Sequence, residues 1–149
     1  MSEPQRPSPE IFSLRTAYLS EGRSDTVVAR TDQITVRMKV YAEGGENALH
    51  AHMEEDHAFI VLEGEATFYD RDETPRVVGA NHGIMLPAGT FYRFQSTGST
   101  NLVLLRVGTG KPPGRNDRVG ADGVELPGGS KKNKGTPGVP IPGRFFGDA

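Results

Sequence analysis

Three of the four histidines of this 149-residue chain, His50, His52 and His57, fall within eight consecutive positions, and the chemistry is concentrated there. Side chains two apart on an extended chain point to one face, so His50 and His52 present two imidazoles to a single point. The apolar run Ala58 to Leu62 follows at once and reads as a buried strand. A turn after Asp56 brings His57, at the head of that strand, round to the same place. Three convergent imidazoles suit one divalent transition metal, and Fe, Zn, Ni and Mn are all compatible with such donors. The competing reading is three surface histidines in a polar loop, because Glu54, Glu55 and Asp56 stand among them. A His-x-His pair followed by a third His at a strand entrance favours the metal. The three acids are themselves candidates for a ligand or a general base, and Glu54 shares the parity of His52 if the strand runs that far.

The elements that must position these residues are strands. Ile34 to Tyr41 alternates strictly, with Ile34, Val36, Met38 and Val40 on one face and Thr35, Arg37, Lys39 and Tyr41 on the other. Gly44-Gly45 ends it as a turn. Further short strands are expected at 11–14, 26–30, 57–62, 65–69, 76–78, 83–86, 91–95 and 102–107, separated by Gly, Pro, Asp or Asn. Many short strands with this punctuation predict an all-β sandwich or barrel. Residues 1–10 read as a flexible N-terminal arm, 11–107 as the barrel domain and 108–149 as a Pro/Gly-rich C-terminal arm. Pro112-Pro113-Gly114, Pro127-Gly128-Gly129 and the run from Pro137 to Gly143 are unsuited to a sheet interior. Lys131, Lys132 and Lys134 read as a solvated loop. Val139, Ile141, Phe145 and Phe146 are expected to dock the arm, on its own barrel or on a neighbouring subunit.

Bulk composition narrows the function classes. With 19 glycines and 11 prolines a helix bundle is disfavoured, and with no cysteine any metal is held by nitrogen and oxygen. A formal charge of −2 gives no nucleic-acid or membrane-surface field. No run is apolar enough to span a bilayer or to form a signal peptide, so a soluble, cytoplasmic protein is expected. No nucleophilic triad or phosphate-binding Gly loop is arguable.

Over roughly residues 26 to 107 the pattern resembles the cupins, small β-barrels whose two motifs flank a metal site. Gly44, His50-Ala51-His52, His57 and Gly64 keep every spacing of the first motif, with His57 where the family usually has Glu. Pro87-Ala88-Gly89 keeps the turn of the second motif, whose His is replaced by Tyr92 and whose Asn by Ser96. Asn81-His82 stands where Gly-Asp often opens that motif, and His82 is expected outside the site.

The resemblance implies a jelly-roll barrel (a double-stranded β-helix), often dimeric, with the metal inside. Its fourth ligand position falls on Tyr92, a phenol able to ligate, to donate to substrate as the catalytic residue, or simply to fill the core. Without a carboxylate, three neutral imidazoles leave a divalent ion uncompensated and attractive to an anionic chelating substrate. Arg37, Lys39, Arg93 and Arg106 are candidates to bind a substrate carboxylate, the choice among them depending on register. A non-haem-iron-type dioxygenase leads. A metal-dependent isomerase or lyase and a non-catalytic small-molecule-binding protein are the alternatives. A homodimer with a small-molecule substrate, and neither nucleic acid nor membrane as partner, completes the expectation.

Overall fold

A computed structural model describes residues 6–110, 117–126 and 136–147. The basic cluster at Lys131, Lys132 and Lys134, and the Pro112 and Pro127 stretches, lie outside the described residues. Twelve strands are formed among those described: β1 (Thr16–Glu21), β2 (Arg23–Arg30), β3 (Ile34–Tyr41), β4 (Gly45–His52), β5 (His57–Glu63), β6 (Glu65–Tyr69), β7 (Pro75–Gly79), β8 (Gly83–Leu86), β9 (Tyr92–Ser96), β10 (Leu102–Thr109), β11 (Arg118–Gly120) and β12 (Val139–Phe146). Two five-stranded sheets, ordered β2-β3-β10-β5-β8 and β11-β4-β9-β6-β7, face each other, and β1 pairs with β12 as a separate ribbon. No helix among the described residues is long and apolar enough to cross a membrane.

The space between the sheets is filled by Tyr41, Phe59, Val61, Ala66, Phe68, Phe94, Leu102 and Leu104, all 2 % exposed or less. A second cluster, Leu19, Met38, Val40 and Val103, is sealed by partly buried Leu14, Tyr18, Leu105 and Phe146. The alternation of β3 explains both. Its apolar set packs Met38 and Val40 into the second cluster, under the β1-β12 ribbon, while its polar set turns Lys39 and Tyr41 toward the barrel interior. Covered on both faces, β3 therefore delivers a lysine to the inside of the barrel, where it is 3 % exposed.

The C-terminal stretch departs from the expected irregular arm. It supplies β11, at the edge of the second sheet, and β12, on the β1 ribbon. Both are edge positions, where a proline costs no ladder bond that an interior strand would need. Around Pro140, opposite Leu19, the ladder shifts register. Phe146 docks on this same chain opposite Thr16, while Phe145 stays 43 % exposed beneath the Arg15 guanidinium. The strand expected at 11–14 is absent, since the ribbon ends at Phe146–Thr16 and leaves those residues no ladder partner among the described ones. Gly45 belongs to β4, paired with Gln95, so the turn ends at Gly44.

Candidate metal centre

β4 carries His50 and His52 to its end, and β5 opens at His57, so residues 53–56 form the loop between them. Opposite β9 the ladder jumps from Glu46↔Phe94 to His50↔Tyr92, leaving two extra residues on β4. Four residues along a straight strand would span about 13 Å. This bulge instead puts His50 Nε2 within 3.3 Å of Glu46 Oε2. His50 Nδ1 donates to the Ala48 carbonyl at 2.8 Å, which leaves the lone pair on Nε2, a buried atom with no hydrogen-bond partner among the described residues.

The donors that converge are those of His52, Glu55 and His57, mutually within 4.8 Å. Of the three loop acids, Glu55 is therefore the one turned inward, at 6 % exposure. Glu54 is exposed, and Asp56 serves the backbone. The Asp56 carboxylate accepts from Ala88 N at 2.8 Å, while its own N–H donates to Thr109 Oγ1 at 3.0 Å. The Pro87-Ala88-Gly89 turn is thus a buttress. Gly89, at a φ of 87° suited to glycine, donates its N–H to His52 O at 2.8 Å.

His57 Nε2 lies 3.2 Å from Glu55 Oε1, and its Nδ1 is buried with no hydrogen-bond partner among the described residues. The ring rests on the backbone of Gly108. A Cβ there would lie 2.8 Å from Cδ2 and 3.1 Å from Nε2, so only glycine leaves the imidazole its place. The His52 ring centroid lies 4.2 Å from that of His57, the planes tilted by 53°, and 5.4 Å from that of His50, edge to face. Its Nδ1 donates to Asp117 Oδ1 at 3.1 Å.

Tyr92 completes the wall, 4.4 Å from the His50 ring, with a buried hydroxyl that has no partner among the described residues. His52, Glu55, His57, Leu86, Pro87, Thr90 and Tyr92 enclose a narrow gap beside the donors, with no room for a water molecule.

Burial sets the charge states. It pushes His50 and His57 down to about 3 and His52 to about 4, so all three are neutral at pH 7. The Arg106 guanidinium adds to the effect on His57, as the His57 charge does on His52. Burial raises the Tyr92 phenol well above its ordinary value, so it stays protonated. Burial, and then donation to Asp117, raises the Glu55 carboxyl. Burial opposes ionising Asp117, but the hydrogen bonds from His52 and Glu55 outweigh it and hold that group low. Burial likewise opposes the charge on Glu46, and Lys39, His50 and Arg118 outweigh it.

Register separates the four basic candidates. Arg37 pairs with Asp25 at 3.2 Å, and Arg93 pairs with Glu73 and lies over Tyr69. Lys39 is inside, bonded to Glu46 Oε1 at 2.5 Å. Arg106 shares the face of Leu102 and Leu104 on β10, directly opposite Arg37 and Phe59. His82 is exposed, bonded to the Ala80 carbonyl. Sequence reasoning passed over Glu46, Asp117 and Arg118, and left Glu55 unseparated from its neighbours. An inward parity for Glu46 was readable from His50 and His52. Nothing in the chain pointed to Asp117, 65 residues beyond His52.

The sequence pattern of the family described as "Cupin domain" matches residues 37–108. The uncharacterized Bacillus subtilis (strain 168) protein YdbB is 32 % identical over 78 residues, 52 % of this chain and 67 % of YdbB. The chain belongs to the cupin superfamily. A sugar phosphate isomerase of that superfamily from Silicibacter pomeroyi superposes with a TM-score of 0.59 at 19 % identity, over 77 % of this cupin and 92 % of the isomerase. A double-stranded β-helix protein from Klebsiella pneumoniae gives 0.58 at 20 % identity, over 78 % and 84 %. At such identities the likeness is one of fold.

The donor set fits a metal of the kind cupins often bind. Two neutral imidazoles and a carboxyl group converge, His57 Nδ1 and His50 Nε2 are buried with no hydrogen-bond partner among the described residues, and His52 has its distal nitrogen free of Asp117. Of the three loop acids left open as ligands, Glu55 is the one that stands among the imidazoles.

Proposed function

We propose that this cupin holds one divalent transition ion through His52, His57 and Glu55, with His50 alongside, and acts on a small, chelating, anionic molecule. The observation that carries the reading is the convergence of two imidazoles and one carboxylate within 4.8 Å. That ligand set, with open positions, is the one used by non-haem Fe(II) oxygenases, and dioxygenation is the leading reaction. Bound there, an ion supplies Lewis acidity and, as iron, oxygen chemistry.

The protein's own residues do the rest. Leu86 and Pro87 line the narrow gap beside the donors, and Tyr92, on the same gap, offers its hydroxyl proton to a substrate oxygen. Arg106 is the residue to receive the substrate's anion. Like charges directly opposite one another on a sheet repel, and its cross-strand neighbour Arg37 is already neutralised by Asp25. Once Glu55 gives up its proton to ligate, the charges of Lys39, Arg106 and Arg118 balance those of Glu46, Glu55 and Asp117. An added dication therefore leaves the interior net positive, which favours an anionic ligand even with Glu55 present.

Oxygen uptake by anaerobically Fe(II)-loaded protein, given 2-oxo acids and ortho-hydroxy aromatic acids, tests this. Uptake lost in Arg106→Met supports it, and no uptake with any of them ends the oxygenase reading.

A second reading, a metal-dependent isomerase or lyase, is favoured by the Glu55–Asp117 pair. A raised carboxyl donating to a lowered one is an arrangement for proton transfer. Deuterium entering a substrate from solvent, without oxygen uptake, would select it. Assembly as a homodimer belongs to the same proposal, supported by apolar side chains left exposed at Val27, Val77 and Met85. A monomer mass by light scattering would refute it.

A further inference from the structure

The family match ends at residue 108, yet one side chain beyond it grips both walls of the centre. β11 lies on β4 in the register Arg118↔His52, Val119↔Ala51, Gly120↔His50, and Met53 N donates to Asp117 O at 3.0 Å. This ladder fixes the Asp117 backbone at the point where β4 becomes the 53–56 loop. Its carboxylate, 5 % exposed as a residue, then divides. Oδ1 accepts from His52 Nδ1 at 3.1 Å, Oδ2 accepts from Glu54 N at 3.2 Å, and a further side-chain hydrogen bond joins it to Glu55. Three nearby positions, two of them candidate ligands, are held by one group.

We infer that Asp117 is a positioning residue of the metal centre, so that the centre is complete only when the chain beyond the barrel has folded back on β4. The inference rests on the metal reading above. A carboxylate accepting from Nδ1 of a ligating histidine selects the tautomer whose lone pair is on Nε2, fixes the ring's rotation and raises its basicity. Here it also ties the ring to the loop that carries Glu55, so His52 and Glu55 are set relative to each other by the same atoms. A carboxylate that merely clasped the loop would need only its bond to Glu54 N.

The experiment uses the full chain and zinc. Wild type, Asp117→Asn, Asp117→Ala, His52→Ala and, as a control in the same segment, Asp122→Ala are titrated with Zn(II) against a competing chelator. The His52 tautomer is read in each metal-free protein from its ring ¹⁵N shifts. We expect zinc affinity to fall about ten-fold in Asp117→Asn and about a hundred-fold in Asp117→Ala. In both, His52 should lose its single Nδ1–H tautomer, with Asp122→Ala unchanged. Wild-type affinity and an unaltered tautomer in both Asp117 variants would overturn the inference. Absence of zinc binding in wild type, or its retention in His52→Ala, would instead sink the metal reading. The tautomer measurement, made without metal, still decides what Asp117 does to the ring.

Discussion

Two buried polar clusters sit side by side in this barrel, and they differ in what they lack. In the first, Glu46 meets Lys39 Nζ at 2.5 Å and Arg118 Nη2 at 3.7 Å, so the acid is matched by cations from two other strands. In the second, imidazole–carboxyl and carboxyl–carboxyl hydrogen bonds join His52, Glu55, His57 and Asp117, and Arg106 acts on Glu55 and His57 through its charge. The first has its counter-charge in direct contact, while the second keeps His57 Nδ1 buried with no hydrogen-bond partner among the described residues. Burial of polar side chains is common to both. What distinguishes the two here is how the acid is held, by direct ion pairs in the first and by imidazoles with a lone pair to spare in the second. His50 stands on the boundary, its ring against His52 and its Nε2 against Glu46.

The strongest way to break this comparison is to remove one member from each cluster. Glu46→Ala removes the buried acid that Lys39 and Arg118 share and should cost about 3–5 kcal/mol, the usual consequence of breaking a buried pair. His57→Ala should cost the metal-free protein less than half of that, since its Nδ1 has no hydrogen-bond partner among the described residues. Yet it should weaken zinc binding beyond the ~100-fold that a merely supporting residue costs. Urea unfolding of chelator-treated protein, paired with zinc titration, reads both. Equal losses of stability in the two variants would erase the distinction.

Acid sharpens it. A histidine whose folded value lies near 3 or 4 takes up its proton in the unfolded chain first, at about 6.5. The unfolded state then binds more protons, so stability is fully present above about 6.5 and is lost as pH falls toward the folded values. The slope is about 1.4 kcal/mol per pH unit for each such ring. Glu46 and Asp117, held low, add loss only further down, below their unfolded values near 4. Metal-free protein should therefore be nearly indifferent to pH above 7 and lose stability steeply between 6.5 and 4. His57→Ala should remove one ring's share of that slope, and an unaltered slope would mean His57 is not held neutral by burial.

The sequence made most of the frame readable and left the closure of the site unreadable, for reasons that differ in kind. The alternation in 34–41 and the boundaries of β5, β6 and β8 were legible because period-2 patterning and Gly or Asp punctuation are local. So were His52 and His57, whose spacing survives in the first motif. The side to which β3 turned each face was not local. It depends on the β1-β12 ribbon, which covers Met38 and Val40 and leaves Lys39 to the interior. Glu55 could not be told from Glu54 by parity, because the strand stops at His52 and the loop resets the alternation. Asp117 lies in Pro/Gly-rich sequence, and its place is fixed by a ladder to a strand 65 residues earlier.

A smaller effect tests the support beneath His57. Gly108→Ala would put a methyl 2.8 Å from the ring's Cδ2, and neither the ring nor the β10 backbone moves freely at 1 % exposure. Overpacking of this kind costs about 1–3 kcal/mol. Because the clash is with the imidazole itself, zinc affinity should drop as well, by about ten-fold. Lost stability with unchanged affinity would show that the ring's position does not matter to the metal.

Tyr92→Phe should change stability least, and its sign is informative. The hydroxyl is buried and bonds to nothing among the described residues, while the ring packs on His50, Phe59 and Phe68. Burying an unsatisfied hydroxyl costs about 1–3 kcal/mol, so its removal, with the ring kept, should leave the metal-free protein as stable or up to about 1 kcal/mol more so. Natural cores discard such groups unless a ligand uses them. If Tyr92 serves the substrate, the phenylalanine variant gains stability and keeps its metal, but loses kcat or affinity for the anionic ligand. A variant that is instead destabilised by 1 kcal/mol or more, with ligand binding intact, would assign the hydroxyl to the closed, structural cluster around Glu46.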